Sequence, residues 1–214
     1  MTPPNTTHFS WTDVWTAAIT RPRPETYEIL LQDRDTRPGR AFLWMFVTSI
    51  VLALVTANIL FNNPSFSVAF NAQLEQTGAT ISATELSQTL LLISLCATPF
   101  AALFNVLRYM VLGIVIHEIA RRVVGAHVQE KRNALFYLLG AVVAPLTLVS
   151  AFVNIIPTAL GTILALLLLG FQAYVFMQIA IALYNVETRQ AILIAVMPTV
   201  ALYLLQVLLV GALI

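Results

Sequence analysis

Residues 41–61, AFLWMFVTSIVLALVTANILF, carry no charged side chain. As a helix they reach roughly 31 Å, about the thickness of bilayer hydrocarbon. Similar stretches recur to the end of the chain, which is 59% hydrophobic and 10% charged. A soluble domain has about 25% charged residues, and one of 214 residues still exposes too much area to hide this much apolar surface. Lipid is therefore the solvent for most of the chain, and the sequence predicts an all-α fold: a polytopic membrane helical bundle with about five transmembrane helices.

Residues 1–40 read as an N-terminal segment with interfacial helices, and 41–214 as the membrane domain. In the first segment Trp11, Trp15 and Ile19 recur every four residues, and Tyr27, Leu30 and Leu31 share a second helical face. Tryptophan and tyrosine favour the membrane–water boundary. These faces either lie on the leaflet as amphipathic helices or pack on the protein's own loops, and the pattern leaves both open. The first span, 41–61, ends at Asn62, Asn63 and Pro64. In the polar loop 62–85, Phe66, Phe70 and Leu74 have helical spacing, and Ser82 with Glu85 fits a capping box that starts a helix. The apolar run that follows is too long for one straight crossing and too short for two. The expectation is a break at Pro99, a second span at 97–120, and 83–96 as a helix outside or entering the leaflet. The third span, 133–156, contains Pro145, and the fourth and fifth cover 159–184 and 191–213.

Cationic residues alternate between loops. Arg21, Arg23, Arg34, Arg37 and Arg40 precede the first span; Arg121, Arg122, Lys131 and Arg132 follow the second; Arg189 follows the fourth. Ten of the eleven basic residues thus fall on one side. This positive-inside pattern predicts a cytoplasmic N-terminus and an external C-terminus. A net charge of +1 gives no drive toward nucleic acid. No cleavable signal is visible in the first 20 residues. Cys96 is the single cysteine, so no intrachain disulfide or cysteine metal cluster can form, and a small buried apolar role is expected for it.

No complete active site can be assembled. His117-Glu118 at the inner end of the second span resembles the start of a zinc-protease motif, but position 121 is Arg where the second His ligand belongs. Asn154-Ile-Ile-Pro157 is similar to an element of intramembrane proteases but lacks the aspartate that follows it there, and the topology puts His117 and Asn154 at opposite faces. The bland reading pairs His117 and Glu118 with loop arginines and makes Asn154 a span terminator. Glu118 and Arg122 have the spacing of a helical ion pair. No cofactor or metal is expected. Arg108 is the one charge at depth, 13 positions and roughly 20 Å from Arg121. Intramembrane charges are functional suspects by default. Its candidate partners are Asn105, Asn58, Gln172, Gln206, Tyr109 or a lipid headgroup, and the competing reading is that a tilted helix lets it reach the outer interface. Asn58, Gln172, Gln178 and Gln206 suit interhelical hydrogen bonds, and Gly140 with Ala144 and Gly161 with Ala165 suit close helix packing. The loop cations suit anionic lipid.

Several stretches together resemble one family. They are VWTAAITRPRPETYEILLQDRD and PGRAFLWMFV before and into the first span, IHEIARRVVGAH at the end of the second, Pro145 and IIPTALG in and after the third, and FQAYVFMQIAIALYNVETRQAI in the fourth and beyond. Their order resembles the Ypt-interacting protein (Yip) domain family of five-span membrane proteins over nearly the whole chain. One departure is Val124-Gly125, where the family often has Gly-Gly, so the loop conformation there is open. The resemblance implies a multi-pass membrane protein without catalytic residues. Eukaryotic members bind prenylated Rab-type GTPases, so a small GTPase is the implied partner only for a eukaryotic member. The short segment before the first span looks like a prokaryotic form, which implies the bacterial inner membrane. The expected function is a non-enzymatic scaffold or adaptor that contacts membrane lipids and a protein partner or a second copy of itself, with Trp11, Trp15 and the basic loop as its contact surface. The alternative is a small transporter or lipid-moving protein with Arg108 on its path.

Overall fold

The computed structural model describes residues 8–61, 68, 72, 83–156 and 158–213, and among these the secondary structure is helical. Two short helices, α1 (Trp11–Thr20) and α2 (Pro24–Leu30), precede α3 (Pro38–Phe61). Then come α4 (Ala83–Val124), a 3-10 segment (Ala126–Lys131), α5 (Arg132–Val153) and α6 (Thr158–Tyr184). The last rod is α7 (Thr188–Ala191), a π-helical turn (Ile192–Val196) and α8 (Met197–Leu213). Five stretches are long and apolar enough to cross a membrane: Pro38–Ile59, Leu91–Val124, His127–Val153, Ala159–Tyr184 and Thr188–Leu208. Helices are the natural spanning element because each satisfies its own backbone polar groups in lipid.

The termini of these elements follow local chemistry. At α1, Ser10 Oγ accepts from the Asp13 N–H at 3.2 Å and the Ser10 N–H donates to Asp13 Oδ2 at 3.1 Å, a reciprocal cap. Pro24 opens α2, where its missing donor is harmless. Gly125 ends α4 with φ +117, a backbone region closed to most side chains. The loop conformation left open by Val124-Gly125 is thus a turn made by a single glycine. Asn185, at φ 53, ends α6 in the left-handed conformation that asparagine tolerates.

The bundle is organised around α5. In its most apolar window 78% of residues are buried, against 22–33% in the other four spans. The closest packing is between α5 and α3. A Cβ on Gly140 would meet the Ala41 Cβ and lie 2.9 Å from its Cα and 3.0 Å from its carbonyl oxygen. Backbone cannot yield as a flexible side chain can, so the missing side chain sets this helix spacing. Of the two small-residue pairs, the one beginning at Gly140 thus lies at a helix interface. Gly140→Val is expected to destabilise the bundle by about 1–3 kcal/mol or more, read as a lower unfolding midpoint in detergent. An unchanged midpoint would contradict the close approach.

Several expectations require correction. Pro99 does not break the second span: α4 runs through it without interruption. Proline removes one ladder bond and crowds the preceding turn, a cost that membrane helices tolerate where neighbouring groups and local adjustment absorb it. The length objection fails because α4, at roughly 63 Å, is not confined to the hydrocarbon. Glu118 pairs with Arg121, at 2.7 Å, and not with Arg122; Arg122 is exposed. Cys96 is exposed, not buried, among outward-facing Leu92, Ile93, Leu95 and Phe100. The third span closes at Val153 with Asn154 as its C-cap, and the last rod starts at Thr188. The expected surface helix through Phe66, Phe70 and Leu74, and the Ser82 cap, lie outside the described residues.

Candidate functional site

Two places gather polar side chains, one at each end of the bundle. At the end carrying the arginines, α1 and α2 fold into a plate beneath the spans. The buried seam of α1 is Val14 and Ala18, with Trp11 and Trp15 at its border. Tyr27 and Leu30 of α2 are buried, and the Tyr27 hydroxyl donates to the Ala18 carbonyl at 2.8 Å, joining the two helices. Burial raises the Tyr27 pKa, so it remains a neutral donor. The aromatic faces of α1 therefore pack on protein: Trp11 and Trp15 meet Trp44 of α3 at ring centroids 5.7 and 6.0 Å away, and Trp44 meets Tyr137 of α5 at 5.8 Å. Trp44 is fully buried, while Trp11 remains 41% exposed.

A polar clasp lies beside this aromatic cluster. Arg40 Nη1 contacts Asp33 Oδ2 at 2.7 Å, the Tyr137 hydroxyl donates to the same oxygen at 2.8 Å, and Arg40 Nη2 donates to the Phe9 carbonyl at 2.8 Å. The Arg40 guanidinium also lies 4.8 Å from the Trp44 ring centroid. Burial pushes the Asp33 carboxyl upward, but the Asp35 N–H, the Tyr137 hydroxyl and Arg40 together hold it below the ordinary carboxylate value. One arginine and one aspartate thereby fix the segment before the first span to the core of the third. The sequence reading used Arg40 only as a topology marker and overlooked Asp33. Their spacing gave no signal, because the third partner, Tyr137, is 104 positions from Asp33.

Nearby, His117 is buried, with Nδ1 3.0 Å from the Tyr184 hydroxyl. It does not pair with the loop arginines, and its Nε2 is buried without a partner. Lys131 reaches across to donate to the Leu183 carbonyl at 2.6 Å, a cation at the end of α6, where the helix dipole favours it. Among the described residues no group of three or more His, Cys, Asp or Glu could hold a metal ion.

Towards the other end, Arg108 faces a cavity of about 280 Å³. Asn105 and Tyr109 of α4, Asn154 beyond α5, Gln172 of α6, and Tyr203 and Gln206 of α8 are among its lining residues. Leu52, Ala165, Leu168 and Leu169 supply apolar wall. Asn105, Gln172, Gln206 and Tyr109, named as candidate partners, do converge here, yet none hydrogen-bonds the guanidinium. Asn105 Nδ2 donates to Ser49 Oγ at 2.7 Å, and Gln172 Nε2 donates to the Tyr109 hydroxyl at 3.4 Å. Arg108 lies 5.2 Å from the Tyr109 ring centroid, and its Nε is buried with no partner. Among the described residues none that lines it is a carboxylate or histidine, so the chemistry they offer is anion binding and hydrogen-bond donation. Asn154 belongs to this cavity and His117 to the opposite end, so they form no joint site.

A family model described as the Yip1 domain matches residues 17–210. No curated protein and no solved structure matches the chain.

Proposed function

The chain belongs to the Yip1 domain family, an integral multi-pass membrane protein of that type, and on that footing we propose that it is a non-enzymatic scaffold or adaptor of the bacterial inner membrane. The observation that carries this reading is the clamped N-terminal plate. Its inner side is fixed by Trp44 and by the Asp33–Arg40–Tyr137 clasp, and its outer side exposes Arg21, Arg23, Glu25, Glu28, Arg34 and Arg37. A rigid, charged, water-facing surface held against a membrane bundle suits the docking of a protein partner or a second copy. The basic residues support placing the plate and the N-terminus in the cytoplasm and the C-terminus outside. Arg121, Arg122 and Arg132 are exposed as well and are suited to anionic lipid at about 1 kcal/mol each.

The test is photo-crosslinking from Glu28 or Arg34 in native membranes, with reporter tags on both termini. The expected result is one adduct of defined mass that weakens when Arg34 and Arg37 are neutralised, with the two tags in opposite compartments. Recovery of free monomer alone would count against a scaffold, and tags in one compartment would overturn the orientation. The cavity at Arg108 favours a second reading, a lipid-moving or small-solute transport protein. Reconstituted liposomes that show no flux above empty vesicles would remove it.

A further inference from the structure

Arg108 carries a charge that its surroundings do not answer. A cation at membrane depth is costly unless it is paired or solvated. Its Nε is buried without a partner, and among the described residues no carboxylate lines the cavity. We propose that this cavity is a binding site for a phosphate-type anion, either the phosphodiester of a phospholipid headgroup or a small phosphate, held by Arg108 with Asn154, Tyr203 and Gln206.

The division of labour among the lining side chains supports this ligand class. The hydroxyls of Thr147 and Ser150 donate to carbonyls of their own helix, at 2.8 and 2.9 Å, and Asn105 is engaged with Ser49. Asn154, Tyr203 and Gln206 have no such bond among the described residues and so keep donors for a ligand. A guanidinium plus neutral donors, with no competing acid among the described residues, is a set that suits phosphate oxygens. The space is ample: a water's share of liquid volume is about 30 Å³, so about 280 Å³ holds a phosphate with part of its ester.

The shape also allows lateral entry. The packing of α6 against the last rod is concentrated at the π-helical turn, and beyond it the described residues of α6 and α8 make little contact. Asn154, Gln206 and Ala165 are exposed at the mouth. An acyl chain could lie along the apolar wall of Leu168 and Leu169 while its headgroup reaches Arg108. Binding of this kind is compatible with a scaffold and with a lipid-moving protein, so it stands or falls independently of either.

The experiment titrates the purified full chain in neutral detergent with phosphatidylglycerol, phosphatidylcholine and inorganic phosphate, counting bound molecules by native mass spectrometry. The expected result is saturable binding of phosphatidylglycerol over phosphatidylcholine, weakened at least about tenfold by Arg108→Gln, the loss expected for one charge-assisted contact. Preference for phosphatidylglycerol over inorganic phosphate identifies the lipid as the source. Inorganic phosphate that binds equally well and displaces the lipid identifies a small phosphate. The double variant Asn154→Leu/Gln206→Leu changes exposed positions and should weaken the same binding, and it decides the matter alone if Arg108→Gln does not fold. Equal binding of all three ligands, or affinity unchanged in the folded variants, would overturn the proposal.

Discussion

Trp44→Ala is expected to detach the N-terminal plate and to lower bundle stability by about 3–5 kcal/mol, the usual range for emptying a buried large aromatic site. Trp44 is fully buried and its ring is shared by Trp11, Trp15, Tyr137 and the Arg40 guanidinium. Its removal therefore opens one cavity between α1, α3 and α5 and also withdraws the surface on which α1 rests. Amide hydrogen exchange should show residues 11–20 losing protection while α6 keeps its own. Uniform protection in the variant would mean that α1 is held by other contacts.

Asp33→Ala is the second large effect, and it acts through charge. It leaves the largely buried Arg40 unpaired and the Tyr137 hydroxyl without an acceptor, a loss of about 3–5 kcal/mol by analogy with other broken buried pairs. Replacing both members, as in Asp33→Leu with Arg40→Met, should recover much of that loss, because an apolar pair carries no stranded charge. The wild type makes the same point through pH. The Asp33 carboxyl is held below its unfolded value, so its stabilisation is fully present above the ordinary carboxylate pKa and is lost as pH falls through the lower folded value. Limited proteolysis between residues 20 and 40 should accelerate in acid for the wild type and be fast at neutral pH for Asp33→Ala. A cleavage rate in Asp33→Ala equal to wild type at neutral pH would remove the clasp from the account.

The spans, and Arg108 as the odd charge among them, were legible because hydropathy and charge report directly on whether a segment tolerates lipid. The two N-terminal helices were legible for the same kind of reason: Tyr27 and Leu30 repeat at helical spacing and are indeed the buried side of α2. What surrounds each helix was not legible. Every span is similarly apolar, yet only α5 is enclosed, and in Leu135–Ala144 only the Gly140–Ala144 pair hinted at a protein neighbour, a pattern that Gly161–Ala165 shares. The continuity of α4 through Pro99 was missed because a proline's effect in a membrane helix depends on what packs around it, which the sequence does not carry. The π-helical turn at Ile192–Val196 had a sign that was passed over, Pro198, because local π adjustment is one way a membrane helix accommodates a proline. The cavity was half legible: Asn105, Asn154, Gln172 and Gln206 were identified singly and Tyr203 was not, and their meeting depends on how α4, α6 and α8 pack.

Trp11, Trp15 and Trp44 are all the tryptophan the chain has, and they share one cluster with centroids 5.7–6.2 Å apart. Tryptophan emission, excited to the red of tyrosine absorption, is therefore a local gauge of how the plate sits on the bundle. Events at the Arg108 end are dark to it. A melt followed by tryptophan emission records the undocking of two short helices, and can be complete while the five long ones are still assembled.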